Sequence, residues 1–311
     1  MKVLVTGGAG FIASHIVDAY IELGHDVTVI DNLSTGRREN LNPHAKFVEV
    51  DIRDASKVAE VFGTVRFDLV NHHAAQMDVR RSVLDPVYDA SVNILGVLNL
   101  LECCVSNGVK RIVFASSGGA IYGEQDYFPA DELHPTRPIS PYGVAKLTTE
   151  NYLFYYKAVH NLDSVSLRYA NVYGPRQNPE GEAGVVAIFT SRMLRGEQPT
   201  INGDGKQTRD YVFVGDVEKA NVLALQNSGT QIFNIGNGVE ADVNILFYHI
   251  RSAIGSKTEE HHGPAKKGEQ MRSVLDARKI RETLGWKPTV SLEEGLKRTV
   301  EYFRLTQGHV A

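Results

Sequence analysis

Short runs of β-branched and apolar residues alternate with longer helical patterns through the first 170 residues. The runs are Lys2–Thr6, Asp26–Asp31, Lys46–Asp51, Asp68–Ala74, Arg111–Ser117 and Val165–Ala170. Most are apolar on both sides of the two-residue alternation, as strands covered on both faces must be. Between them, Phe11–Leu23, Lys57–Phe62, Tyr88–Val105 and Pro141–His160 carry apolar positions at helical spacing. Strand, helix, strand in this rhythm predicts an α/β fold with a doubly wound parallel sheet.

After residue 170 the rhythm breaks. Gly and Pro cluster at Gly174-Pro175 and from Gly196 to Gly205. Gly184–Arg195 reads as one helix, and Gln231–Gly236 as a strand that returns to the first sheet. Helices at Val243–Ile254, Asp276–Leu284 and Leu292–Thr306 close the chain. The expected division is a larger nucleotide-binding domain, 1–170 with a return segment 212–236. A smaller α/β substrate domain takes 171–211 and 237–311. Two domains also suit a chain of 311 residues.

Hydrophobic residues at 42% and charged residues at 23% exclude disordered, collagen-like and coiled-coil classes. With 33 basic against 37 acidic residues, the chain has no bulk attraction for nucleic acid or an anionic membrane. Cys103 and Cys104 are adjacent and cannot close a useful loop, so a reducing cytoplasm is the expected compartment. The opening run Met1–Thr6 is too short for a signal peptide, and no later run approaches 18 apolar residues. His72-His73 and His261-His262 are adjacent pairs without metal-ligand spacing, so no metal site is expected.

The first candidate chemistry lies in Thr6-Gly7-Gly8-Ala9-Gly10-Phe11-Ile12-Ala13, between a strand and a helix. Gly7 permits the tight turn, Gly10 lets backbone approach a pyrophosphate, and Ala13 lets helix and strand pack closely. The helix start offers free N–H groups and a positive dipole end. Asp31 ends the second strand, where a carboxylate accepts from ribose hydroxyls and repels a 2′-phosphate. NAD is therefore expected over NADP. Arg37 and Arg38 stand close enough to weaken that preference unless they are solvated loop charges. Asp51-Ile52, at the end of the third strand, sits where an adenine edge can be read.

The second candidate is Tyr142 with Lys146, the only Tyr-x-x-x-Lys in the chain. Four residues apart on a helix, they share a face. A nearby ammonium favours the phenolate, which makes a proton shuttle near neutrality. The preceding strand ends in Ser116-Ser117, at the carboxyl edge of the sheet where ligands bind.

With these motifs the sequence resembles the extended short-chain dehydrogenase/reductase superfamily and, within it, the UDP-glucose (UDP-galactose) 4-epimerases. The motifs are TGGAGFIASH (6–15), DNLSTG (31–36), HHAAQ (72–76), FASSGGAIYGE (114–124), SPYGVAK (140–146), LRYANVYGPRQ (167–177), GDGKQTRDYVFVGDV (203–217), FNIGNG (233–238) and LGWKP (284–288). They cover almost the whole chain in the family's order. The resemblance implies a Rossmann-type sheet, a tightly held NAD⁺ and a UDP-sugar substrate. It also implies a homodimer, paired through the helices corresponding to Tyr88–Val105 and Pro141–His160.

Carried over residue by residue, the cofactor contacts are Gly7, Gly10, Phe11 and Ile12 in the glycine loop. They continue with Asp31, Asn32, Ser34, Thr35 and Gly36 after the second strand, then Asp51 and Ile52, then Ala74, Ala75 and Gln76. Asn93, Tyr142, Lys146 and Tyr169 complete the set. In catalysis the resemblance makes Tyr142 the base for the sugar 4-hydroxyl, whose C4 hydride passes to the nicotinamide. The 4-keto sugar then turns and takes hydride back on its other face. Lys146 holds the nicotinamide ribose and stabilises the phenolate, and Ser117 binds O4, with Ser116 as the alternative. Asn171 and Arg209 grip the diphosphate, a task that suits a guanidinium fork.

Relatives often carry Arg-x-Gly-Asp where this chain has Lys266-Lys267-Gly268-Glu269, leaving Lys266 or Arg272 as a further phosphate ligand. Ser273 lies where many galactose-restricted epimerases carry a tyrosine, which implies room for an N-acetyl group. Dehydratases of the superfamily place Asp-Glu after the serine, where Gly118-Gly119 stand here. The other classes are a further NAD-dependent nucleotide-sugar oxidoreductase and a catalytically silent NAD-binding scaffold.

Overall fold

The computed structural model describes residues 1–180, 184–226, 228–266 and 270–307. Lys267, Gly268 and Glu269 lie outside the described residues.

β1 (Lys2–Thr6) buries Val3, Leu4 and Val5 completely. Alternation sends Val3 and Val5 into one apolar layer and Leu4 into the other. Next come α1 (Phe11–Glu22), β2 (Asp26–Asp31), β3 (Lys46–Glu49), α2 (Ala55–Thr64) and β4 (Leu69–His72). Then follow α3 (Val79–Leu84), α4 (Pro86–Ala90), a π turn at Ser91–Leu95 and α5 (Gly96–Ser106). The predicted uniform helix Tyr88–Val105 is thus broken by a π turn, a feature frequent at functional sites. β5 (Arg111–Ser117), α6 (Gly118–Ile121), α7 (Pro141–His160) and β6 (Asp163–Tyr169) follow. α7 has the predicted limits because Ser140 caps it by accepting from Gly143 N–H at 3.1 Å and Pro141 occupies its first turn.

The rest of the chain forms β7 (Asn171–Tyr173), α8 (Val185–Leu194), β8 (Ile201–Asn202), β9 (Thr208–Phe213), α9 (Val214–Ala224) and β10 (Thr230–Ile235). It ends with β11 (Glu240–Asp242), α10 (Val243–Ile254), β12 (His262–Gly263), β13 (Arg272–Ser273), α11 (Arg278–Leu284) and α12 (Leu292–Gln307).

Seven parallel strands form one sheet in the order β10-β6-β5-β4-β1-β2-β3. The architecture is α/β and Rossmann-type. The expected return strand is β10, paired with β6 from Thr230↔Ser164 to Ile235↔Tyr169. Strand order reverses between β1 and β4, which opens a crevice at their carboxyl ends. α1 and α9 cover one face; α2, α5 and α7 cover the other. By length and composition alone the stretch 86–106 would cross a membrane, but Val97, Leu100 and Leu101 are buried in the layer under the sheet.

α9 went unpredicted because its buried face carries Asp216 and Asn221 beside Val217 and Ala220. Both polar residues are satisfied from afar: Asp216 accepts from Thr289 and Val290, and Asn221 donates to Tyr169. β9 is the hub of a smaller sheet with β7, β11 and β13, over a separate core that includes Tyr173, Phe189, Phe213, Phe247 and Val300.

Candidate active site

At the crevice, Gly7 has φ +72°, and a Cβ there would lie 2.7 Å from the Ala74 backbone nitrogen. The glycine loop and the segment after β4 therefore meet backbone to backbone, which only glycine permits. A side chain at Gly8 would strike Val29, whereas one at Gly10 would meet only the Gly7 carbonyl at 3.0 Å. α1 begins at Phe11 with no side-chain cap at Gly10, so its first N–H groups point to the crevice mouth as donors. Asp31 is buried and accepts from Ala9 N–H at 3.1 Å and Leu33 N–H at 2.8 Å. Burial raises its pKa, and these two donors work against the rise. Gly36 presses on this carboxylate: a Cβ there would be 2.9 Å from Asp31 Oδ1. Asn32, Ser34 and Thr35 line the exposed rim of the same loop.

These residues fit a dinucleotide: a side-chain-free cradle, an uncapped helix start and a carboxylate one strand away. Arg37 and Arg38 do not offset Asp31. Arg37 donates to Asn178 at 3.1 Å, and Arg38 pairs with Glu49 and lies over the Phe47 ring at 5.3 Å. Asp51 is clasped by Arg53, which holds its carboxyl far below the usual range, and by Asn32 at 2.9 Å. Ile52 packs its side chain against Gly96, so only its backbone remains for an adenine.

The edge that carries the expected catalytic residues is formed by β5, α6 and α7. The register sets Ser117 beside Tyr169 at the ends of β5 and β6. Gly143 brings the start of α7 onto α6, where a Cβ would be 2.5 Å from the Ala120 oxygen. Tyr142 is half-buried, and the Lys146 ammonium lies 5.6 Å from its ring centroid. That ammonium is 4.8 Å over the Phe114 ring and donates to Ala115 O at 2.8 Å. Burial pushes the Lys146 pKa down to about 8, with Asp89 and Glu150 pulling it back up. The two serines differ: Ser116 is buried and donates to Glu150 at 2.7 Å, whereas Ser117 is half-buried and makes no cap bond to α6.

Two residues expected at the cofactor have protein partners for their polar atoms. Asn93, in the π turn, spends its amide on Gln76: Nδ2 donates to Gln76 O at 2.8 Å and Oδ1 accepts from Gln76 N–H at 3.0 Å. It therefore holds the segment Ala74-Ala75-Gln76 in place. Tyr169 is buried, accepting from Asn221 at 2.8 Å and facing His73 Nε2 at 3.0 Å. Its hydroxyl is engaged inside the core by Asn221 and His73.

Among the residues expected at the substrate, Asn171 pairs with Tyr211 on β9, and Arg209 stands two residues earlier opposite Ser273. The two-residue alternation puts Asn171, Arg209 and Ser273 on one face of the small sheet. Arg209 is half-buried and donates to Thr208 O at 2.7 Å; Ser273 is buried. Arg272 falls on the opposite face by the same alternation. It pairs with Glu240 and stacks 3.9 Å over Phe128, so it does not join Arg209. Lys266 is exposed.

Three buried groups escaped sequence reasoning. Glu150 binds Arg168 through 2.6 and 3.0 Å bonds beneath the serines. Its place four residues after Lys146 was the available signal. Asp89 sits between Gln76 and Asn93, each 2.9 Å away. Asp210 accepts from the N–H groups of Asn237, Gly238 and Leu275, and burial pushes its carboxyl up to about 6. Among the described residues no cluster of three His, Cys, Asp or Glu could hold a metal ion.

Residues 3–236 match the NAD dependent epimerase/dehydratase family. The chain belongs to that family. It is similar to a putative UDP-glucose 4-epimerase of Methanocaldococcus jannaschii, 50% identical over 97% of this chain and 98% of that protein. Its fold is similar to the UDP-glucose 4-epimerase of Thermotoga maritima, solved with UDP-glucose: TM-score 0.97, 52% identity, covering 99% of this chain and 100% of the other. It is also similar to the UDP-glucose 4-epimerase of Thermus thermophilus, solved with NAD: TM-score 0.94, 47% identity, covering 98% of this chain and 99% of the other.

Proposed function

We propose that the protein interconverts UDP-glucose and UDP-galactose through a 4-keto sugar, with NAD as its resident cofactor. What carries this reading is end-to-end similarity to UDP-glucose 4-epimerases, joined to Ser117, Tyr142 and Lys146 at one sheet edge. NAD, when bound, would supply the hydride acceptor and donor for C4. Gly7, Gly10 and the start of α1 hold its diphosphate, and Asp31 its adenosine ribose. Tyr142, as phenolate, takes the proton of the 4-hydroxyl. The Lys146 ammonium favours that phenolate. Ser117 holds O4; Ser116 is engaged by Glu150 and is the poorer candidate. Arg209 and Asn171 grip the diphosphate, with the exposed Lys266 the remaining candidate of the expected set, so the sugar is free to turn. Elimination chemistry is disfavoured because Gly118 and Gly119 stand where dehydratases of the superfamily carry Asp-Glu, so these two positions supply no acid.

Purified protein should form UDP-glucose from UDP-galactose without added cofactor. Tyr142→Phe should abolish this while NAD stays bound; unchanged turnover would remove Tyr142 from the mechanism and favour the scaffold reading.

Ser273 favours a second, wider specificity. It stands opposite Arg209 and is far smaller than the tyrosine of galactose-restricted epimerases, which supports a site that admits an N-acetyl group at C2 of the sugar. The protein should then act on UDP-N-acetylgalactosamine, and Ser273→Tyr should lose that substrate selectively. Negligible turnover of the acetylated sugar would refute this.

We also propose a homodimer. Val83, Leu84 and Val87 on α3 and α4 are exposed, as are Val144, Phe154 and Val159 on α7. Large apolar faces of this kind mark association surfaces. Sedimentation should return twice the monomer mass. The compartment proposed is a reducing cytoplasm, where Cys103 and Cys104 stay as free thiols. The proposed division is 1–170 with 212–236, against 171–211 with 237–311; β10 and α9 support assigning the return segment to the first part.

A further inference from the structure

Asp210 on β9 is 1% exposed, and its carboxylate gathers backbone donors from two other segments. Oδ1 accepts from Asn237 N–H at 2.8 Å, and Oδ2 from Gly238 N–H at 3.0 Å and Leu275 N–H at 3.3 Å. Asn237 and Gly238 follow β10, the edge strand of the large sheet, and Leu275 follows β13 of the small one. The packing leaves no slack: a Cβ at Gly236 would lie 2.3 Å from Oδ2.

The residues on either side of Asp210 belong to the face expected to hold substrate. Arg209 stands opposite Ser273, and Tyr211 opposite Asn171. Alternation along the strand sends the Asp210 side chain to the face away from Arg209. The carboxylate therefore fixes the backbone under Arg209 without competing for its guanidinium. A charge-assisted fork depends on that alignment, and small displacements forfeit it.

The charged groups packed around Asp210 have partners of their own. Glu240, its neighbour on β11, pairs with Arg272 of β13 and accepts from Thr208. Asp276, just past Leu275, pairs with Arg278, and Glu132 accepts from Asn234 N–H on β10. Arg298 of α12 lies over Phe213 at the far end of β9. Burial pushes the Asp210 carboxyl up to about 6; the three N–H bonds oppose the rise and Glu240 adds to it. Below that pH one oxygen becomes a hydroxyl, a donor set among donors.

We propose that Asp210 is a positioning residue for diphosphate binding: its carboxylate fastens β9 to the turn after β10 and to the end of β13, and so sets the Arg209 guanidinium. The role of Arg209 rests on the epimerase reading above; the fastening does not.

Asp210→Asn keeps the shape and loses the charge. Whichever way its amide turns, its NH2 faces at least one of the three N–H donors. Calorimetry with UDP-glucose, whose diphosphate does not titrate near pH 6, reads the consequence. At about pH 7.5 the variant should bind UDP-glucose on the order of ten-fold more weakly. Its NAD content and its kcat at saturating UDP-galactose should stay within about two-fold of wild type, so that the loss falls on KM. Wild-type affinity should weaken as the pH falls through about 6, and in Asp210→Asn that acid limb should be gone. Asp276→Asn, whose carboxylate accepts from Arg278 at 2.9 and 2.6 Å, should bind as wild type does. Unchanged binding in folded Asp210→Asn overturns the proposal. So does an equal loss in Asp276→Asn, or a loss shared by kcat and NAD content. If Asp210→Asn does not fold, the wild-type profile decides: an affinity for UDP-glucose that is flat between about pH 7.5 and 5 overturns the proposal. Wild-type protein that binds UDP-glucose without converting it would refute the epimerase reading while these affinities still decide this one; protein that does not bind it overturns both.

Discussion

The two serines at the end of β5 make opposite predictions when each is replaced by alanine. Ser116 Oγ donates to the buried Glu150 carboxylate at 2.7 Å, a charge-assisted bond worth roughly 1.5–3 kcal/mol. Glu150 keeps both Arg168 bonds, so the loss should sit at the low end of that range. Ser116→Ala should therefore lower unfolding stability by about 1.5 kcal/mol and leave kcat within a few-fold of wild type. Ser117 is half-buried at the crevice, and its hydroxyl caps nothing on α6. Its removal should cost little stability. If it holds O4 and relays the proton, kcat should fall by about 10²–10⁴-fold, the usual worth of a positioned acid–base group. Urea unfolding with parallel steady-state kinetics on UDP-galactose reads both effects. The reverse pattern, with Ser116→Ala inactive and Ser117→Ala unimpaired, would refute the assignment.

Other outcomes follow from the same geometry. Gly7→Ala combines a positive φ with a Cβ 2.7 Å from Ala74 backbone, so it should cost roughly 2–4 kcal/mol and weaken retention of NAD, read by absorbance after gel filtration. Burial pushes Lys146 down to about 8, so its charge is present below that pH and lost above it. The rate should accordingly decline as pH rises through about 8, and a rate still climbing at pH 9.5 would contradict the role given to Lys146. Asp210→Ala leaves the N–H groups of Asn237, Gly238 and Leu275 without their acceptor and should cost roughly 2–4 kcal/mol in urea unfolding.

What the sequence revealed was mostly local. The strands of the large sheet announce themselves as apolar runs because both of their faces are covered. α7 is readable to the residue because Ser140, Pro141 and Asn161 mark its ends with cap chemistry. α9 hides because Asp216 and Asn221 are buried by partners on Thr289 and Tyr169, which no local window contains. The small sheet was invisible for a related reason. Strands of two or three residues, such as β13 and β7, have no periodicity, and pairing alone defines them. That explains Arg272: its charge fitted a phosphate ligand, but only the register of β13 on β9 reveals that it faces away from Arg209. The site divides in the same way. The glycine loop, Asp31 and the Tyr142–Lys146 pair are contiguous patterns with chemical reasons. Asp89 and the Glu150–Arg168 pair become visible only when α4 and β6 are packed against α7.

In epimerisation through a 4-keto sugar, C4 is oxidised and reduced within one site by a hydride that never leaves it. UDP-galactose deuterated at C4, given to purified protein with no added NAD, reads this out. The UDP-glucose formed should retain deuterium at C4, with no exchange with solvent. Loss of the label to water, or no UDP-glucose at all from folded, NAD-containing protein, would contradict it.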